Sequence, residues 1–162
     1  MRLSERQRGR VFLFGGAVAA FSGTADVSGS TFVSNLVAGP GARELVAVLL
    51  GGALCLQFGV VCEVRSCLMR QNEVQEGETM RGGAISASSE ASTATTISND
   101  ASTSVALTRL SVVDSLFDSN LARGGDSIGE EVQGGAVHCL ACNLTLFAQV
   151  VFRSNSVSGR GK

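Results

Sequence analysis

The residues best suited to chemistry are few. Cys139-Leu140-Ala141-Cys142 is a Cys-x-x-Cys pair directly preceded by His138, the only histidine of the chain. Thiolates and an imidazole at this spacing suggest a metal site or a redox couple. Cys55, Cys62 and Cys67 complete a set of five cysteines from which a zinc site could be drawn. A structural zinc draws on two close pairs, whereas four residues separate Cys62 from Cys67. A redox Cys-x-x-Cys sits where a strand meets a helix, and no helical pattern follows here. The expectation is small apolar filler, or a disulfide between adjacent turns of a narrow fold, with the odd count leaving at least one thiol unpaired. As a base, His138 would need an orienting partner and a nucleophile. Neither can be assigned, so a surface or strand-edge histidine is expected. Asn143-Leu144-Thr145 is a glycosylation sequon, expected in a turn.

Whole-chain quantities narrow the classes further. Thirteen basic and 14 acidic residues give a net charge of −1, too weak a field to favour nucleic acid or an anionic membrane. With eight Phe and neither Trp nor Tyr, there is no stacking platform for bases. Arg123-Gly124-Gly125-Asp126 is glycine-rich but lacks the Lys and the strand–helix setting of a phosphate loop, and reads as a turn. Hydrophobic residues make up 44% of the 162, enough for one folded domain.

The elements that must position these residues emerge from internal repetition. A Gly-Gly-Ala-aliphatic block begins at Gly15-Gly16, Gly51-Gly52, Gly82-Gly83 and Gly134-Gly135. Each is followed by a large apolar residue, two intervening positions and Asn: Phe32 to Asn35, Met69 to Asn72, Phe117 to Asn120, and Phe152 to Asn155. Three of the four blocks have the same separation within one residue. The third carries an excess that falls at 86–104, where 15 of 19 residues are Ser, Thr or Ala. Such a stretch has little to bury and is expected as an exposed excursion. Around the second block, positions align in columns: Val27, Val64, Val112 and Phe147; Ser30, Cys67, Ser115 and Val150; Val37, Val74, Ala122 and Val157. Columns of like residues are what stacked parallel strands produce. Asn is expected to take the left-handed backbone of a turn and to form amide ladders along the stack. Gly-Gly suits a crowded bend, and Ala a narrow corner.

Four alternating pairs of GGA[ILV] and FxxN resemble the repeats of chlamydial polymorphic outer membrane proteins, over residues 11–157. Met69 departs from the Phe of that pattern. The resemblance implies a right-handed parallel β-helix used for adhesion at the cell surface.

The expected fold is thus all-β, a right-handed single-stranded parallel β-helix of about four coils. A basic segment occupies 1–10, the repeats 11–157, the insertion 86–104 and a tail 158–162. Two segments admit other readings. Arg-rich residues 1–10 followed by apolar 11–21 have the layout of a secretory signal. Residues 45–62 are long and apolar enough for one membrane helix, against which two strands bent at Gly51-Gly52 are expected. Asp114, Asp118, Asp126 and Glu130 could serve a pectate-lyase-like carbohydrate-active enzyme if gathered in one groove. Asp118 instead shares its column with Val33, Arg70 and Arg153, the pattern of a solvated strand face. The expected function is a non-enzymatic structural or adhesion module, extracellular or at the cell surface, with no cofactor or nucleic-acid partner. Protein or glycan surfaces are its expected partners. No capping helix is legible at either end, so the chain reads as a fragment of a larger β-helix protein or as one that self-associates through its end coils.

Overall fold

The computed structural model describes residues 10–39, 46–77, 79–89, 107–124 and 131–159. Twenty strands form five four-stranded parallel sheets, with no helix among the described residues. The chain makes four coils, and each coil gives one strand to every sheet. Coil 1 holds β1 (Arg10–Phe14), β2 (Val18–Phe21), β3 (Thr24–Ser28), β4 (Thr31–Val33) and β5 (Leu36–Ala38). Coil 2 holds β6 (Val46–Leu50), β7 (Leu54–Gln57), β8 (Val61–Arg65), β9 (Leu68–Arg70) and β10 (Glu73–Gln75). Coil 3 holds β11 (Thr79–Arg81), β12 (Ile85–Ser88), β13 (Arg109–Val113), β14 (Leu116–Asp118) and β15 (Leu121–Arg123). Coil 4 holds β16 (Glu131–Gln133), β17 (Val137–Leu140), β18 (Asn143–Phe147), β19 (Val151–Arg153) and β20 (Ser156–Ser158). In every sheet the coils stack in sequence order.

Residues 45–62, the alternative membrane helix, are thus β6, β7 and the start of β8, bent at Gly51-Gly52. Backbone groups that a helix would satisfy internally are satisfied by the coils above and below. No helix among the described residues is long and apolar enough to cross a membrane. The apolar N-terminal stretch forms β1 and β2, paired residue for residue with β6 and β7.

The glycine pair and the asparagine belong to one device. Gly82 has φ +72°, and a side chain there would collide with the Ile85 carbonyl. Gly83 lies against two backbones: a Cβ would strike the Gly135 carbonyl of the next coil and crowd Leu121 N of its own coil. Leu121 directly follows Asn120. The same relation links Gly16 to Leu36, Gly52 to Glu73 and Gly135 to Ser156. Each coil is therefore pinched where its Gly-Gly block meets the residue after its Asn. The pinch separates two cores. The larger contains Leu54, Leu56, Val64, Met69, Ile85, Leu110, Val112 and Phe117. The smaller contains Val37, Leu49, Val74, Met80 and Ala122. Ala53, Ala84 and Ala136 follow the glycines into the larger core, as expected of a narrow corner.

In the large core the apolar column stacks as the spacing predicts. Phe32 pairs with Met69, Met69 with Phe117, and Phe117 with Phe152. The rings of Phe117 and Phe152 stack at 4.9 Å with 17° between planes. Met69 fills the place of a ring with a polarizable thioether that packs well on aromatic faces.

The asparagine column forms a buried ladder. Asn35 Nδ2 donates to Asn72 Oδ1 at 2.8 Å, Asn72 Nδ2 to Asn120 Oδ1 at 2.9 Å, and Asn120 Nδ2 to Asn155 Oδ1 at 2.8 Å. Each backbone N–H of Asn35, Asn72 and Asn120 donates to the same oxygen as its amide. The amides of Asn72, Asn120 and Asn155 also donate to the carbonyls of Phe32, Met69 and Phe117. The left-handed residue of this corner is not the asparagine, contrary to expectation. It is the residue before it: Ser34, Gln71, Ser119 and Ser154, with φ of 55°, 54°, 56° and 52°. A left-handed residue reverses the chain, and the following amide then points inward.

Two expected boundaries move. Ser86, Ala87 and Ser88 are not loop but part of β12, paired with both β7 and β17. The rest of the expected insertion, 90–104, lies outside the described residues. The column partner of Val112 is Leu146, not Phe147, which pairs with Val113. Coil 4 has one more residue in its corner between Phe147 and Val151 than coil 3 has between Val113 and Leu116.

These roles predict opposite responses at neighbouring positions. Asn72→Ala strands the half-buried Phe32 carbonyl and both Asn35 donors. It should cost on the order of 3 kcal/mol, at 1–3 kcal/mol per orphaned group after partial relaxation. Gln71→Gly, at an exposed left-handed position, should change stability by no more than about 1 kcal/mol. Urea denaturation of the two variants checks both.

Candidate functional site

The cysteines fall into two groups. Cys139 and Cys142 form a disulfide across the corner between β17 and β18, within one coil rather than between coils. Cys55, Cys62 and Cys67 are free and buried. Burial pushes the Cys55 thiol up to about 12, against a small opposing effect of Gln57. Burial, with Asp26 nearby, pushes Cys62 up to about 11. Cys67 belongs to a second polar row. Its backbone N–H donates to Ser115 Oγ at 3.1 Å, and its thiol to the carbonyls of Val27 and Arg65. No group of three or more His, Cys, Asp or Glu side chains that could hold a metal occurs among the described residues.

His138 is buried rather than on the surface, and it does lie on an edge strand, since β17 ends its sheet. It lies in β17, 9% exposed, opposite Ser86 in the register. Its Nε2 meets Gln133 Oε1 at 2.6 Å, and its Nδ1 has no partner. Burial first, then the Arg81 charge, lowers it to about 4, with Glu131 opposing. Cys55, Gln57, Ser86 and His138 alternate with core residues, so they face away from the core yet are buried. Gln57 Oε1 and Ser86 Oγ also lack partners. No hydrogen bond joins Ser86 to His138 among the described residues.

The two acidic candidates among the described residues, Asp114 and Asp118, are each engaged separately. Asp118 is only 5% exposed rather than solvated. Arg153 grips it at 2.9 Å from the next coil, and Arg70 approaches at 3.5 Å from the previous one. The hydrogen bond from Arg153 is the main cause holding the Asp118 carboxyl below its ordinary range. Asp114 sits in the left-handed corner after β13, φ 46°, and accepts from Gln149 N. Asp126 and Glu130 lie outside the described residues.

A groove of about 380 Å³ runs along the outward face of the sheet β3-β8-β13-β18. Register places two rows on it. One is Thr24, Val61, Arg109 and Asn143; the other is Asp26, Glu63, Ser111 and Thr145. Between them Ala25, Cys62, Leu110 and Leu144 point to the core side. Asp26 and Glu63 are directly opposite, a like-charge pairing that an isolated sheet disfavours. Arg65, two residues along β8, pairs with Glu63 and offsets it. The sequon residues Asn143 and Thr145 are in β18, a strand and not a turn, and both line the groove. The sequence reading missed this groove, since only the register of four distant segments assembles it. The alternation of Thr24 to Ser28 and Val61 to Arg65 was the available signal.

No family model, no curated protein and no solved structure matches the chain.

Two solution properties follow. Native protein at pH 8 should show no rapidly alkylated thiol, because Cys55 and Cys62 remain protonated and all three are buried. Denaturant should release three thiols, and subsequent reduction two more, counted by iodoacetamide labelling and mass spectrometry. His138 should make stability fall with acid. The unfolded chain binds a proton near the ordinary value of 6.5 and the native protein only near 4, so stability is full above the first and lost on descending toward the second. The loss should reach at most about 3 kcal/mol. His138→Gln should flatten the difference between pH 7 and pH 4.5 in urea titrations.

Proposed function

We propose that the chain is a non-enzymatic surface-repeat module: a right-handed parallel β-helix of the polymorphic-outer-membrane-protein kind, extracellular or displayed at a cell surface. Its groove on the β3-β8-β13-β18 face takes an extended polyhydroxyl chain or a peptide surface. Right-handedness is favoured by the strong preference for that hand when one parallel strand crosses over to the next in a sheet. The four GGA and FxxN pairs, each in register in its coil, support the family reading. The Cys139–Cys142 bridge supports an oxidising compartment.

The observation that carries the functional reading is how the described polar residues divide. Those with catalytic potential are committed to the scaffold: Asp118 to Arg153 and Arg70, Asp114 to a corner, His138 to Gln133. Those on the groove stand in rows one strand spacing apart, about 4.8 Å. A row of hydroxyl, amide and carboxylate groups at a fixed repeat suits a ligand that itself repeats.

The test is retention on immobilised polysaccharides, including polygalacturonate, and on glycoprotein-coated surfaces, with reducing ends measured in parallel. Saturable retention without cleavage, lost in Ser111→Lys with an unchanged melting temperature, supports the module. Cleavage of the polysaccharide would replace it with a carbohydrate-active enzyme.

A further inference from the structure

Among the described residues nothing covers either end of the stack, and the two ends differ in their chemistry. At the coil 4 end, core-column residues are exposed: Leu146 47%, Phe152 45% and Val157 49%. Their equivalents one coil earlier, Val112, Phe117 and Ala122, are all 0% exposed. At the coil 1 end, Val18 is 42% exposed, whereas its column partner Leu54 is fully buried. What covers such a residue inside the stack is the same column of the next coil.

The asparagine ladder has a direction. Every bond along it runs from the N–H groups of one Asn to the Oδ1 of the Asn in the following coil. At one end Asn155 has spent one amide N–H on the Phe117 carbonyl. Its backbone N–H and second amide N–H have no partner among the described residues. At the other end Asn35 Oδ1 accepts nothing among them. The coil 4 end therefore offers the Asn155 donors, and the coil 1 end offers Asn35 Oδ1 together with the second amide N–H of Asn35, the group that inside the stack bonds back to the preceding coil.

We propose that a second copy of this chain stacks head to tail, coil 1 of one molecule on coil 4 of another, with Asn155 donating to Asn35 across the joint. This joint repeats the relation between consecutive coils: the Asn155 donors meet Asn35 Oδ1, and the second amide N–H of Asn35 meets the Phe152 carbonyl, as Asn72 meets Phe32 inside the stack. Contact at one whole coil matches the roughly 20–30 residues a side of a stable interface. Because the two patches differ, the contact does not close after two molecules, and it continues into linear chains. The joint adjoins the groove along β3 and β18 but is formed by the core columns and the asparagine row, so neither reading rests on the other.

The test uses the full 162-residue chain in sedimentation velocity. Wild type should show concentration-dependent association, and end-to-end rods by electron microscopy. Val18→Lys blocks one end and Leu146→Lys the other; Phe152→Glu serves as an independent block of the second. Each variant alone should be monomeric with an unaltered β spectrum in circular dichroism. An equimolar mixture of Val18→Lys and Leu146→Lys should yield a species of twice the monomer mass and nothing larger, because one compatible joint remains. A wild type that stays monomeric at all concentrations overturns the proposal. So does a single-end variant that still dimerises, which would indicate like-end pairing.

Discussion

The fold depends on a close approach of backbone to backbone. At the pinch of each coil, the second glycine of the Gly-Gly block lies against the chain just past the asparagine, and in the first three coils also against the glycine carbonyl of the following coil. No side chain fits in that space. A β-carbon would have to push the two walls apart, and the two cores on either side would lose their packing together. The constant separation of the two motifs follows, because the length of chain between them is the perimeter of the larger lobe. That lobe can be lengthened only where the chain leaves the pinch, at corners.

Given this narrow section, polar satisfaction becomes as demanding as apolar packing. A corner buried among other corners leaves amide and carbonyl groups that water cannot reach. The asparagine row and the shorter Ser115–Cys67 row answer this by bonding each corner to its neighbours along the axis. The interactions that shape one coil are thus also those that join it to the next. Each coil contacts only its neighbours, so stability accumulates coil by coil rather than in one central core.

Much of this was legible in the residues. The glycine and asparagine blocks gave the number of coils, and the Phe32–Met69–Phe117–Phe152 column appears in the structure as read. The errors are local and have local causes. Asparagine was credited with the left-handed turn because it tolerates that backbone, but an inward amide is possible only if the preceding residue makes the turn. Asp118 looked solvated because alternation marks a side chain as outward; arginines from the coils on both sides then cover it. The extra corner residue before Val151 was invisible to a count anchored at Phe152. The ligand groove was beyond reach, since its rows come from residues about 35 to 50 positions apart that only pairing brings side by side.

The corner between β12 and β13 has a wider meaning for how such chains diversify. Thr108 closes it: its N–H donates to Ser89 Oγ at 2.6 Å, its hydroxyl donates to the Ser88 carbonyl at 2.8 Å, and the Gly59 N–H bonds to that hydroxyl from the coil before. Across this clasp β12 and β13 keep full register with both neighbouring coils. The two sides of the corner are thus held by groups that belong to the coils themselves. The clasp is also a natural graft point, where a foreign epitope with closely spaced ends could be carried on the side of the rod.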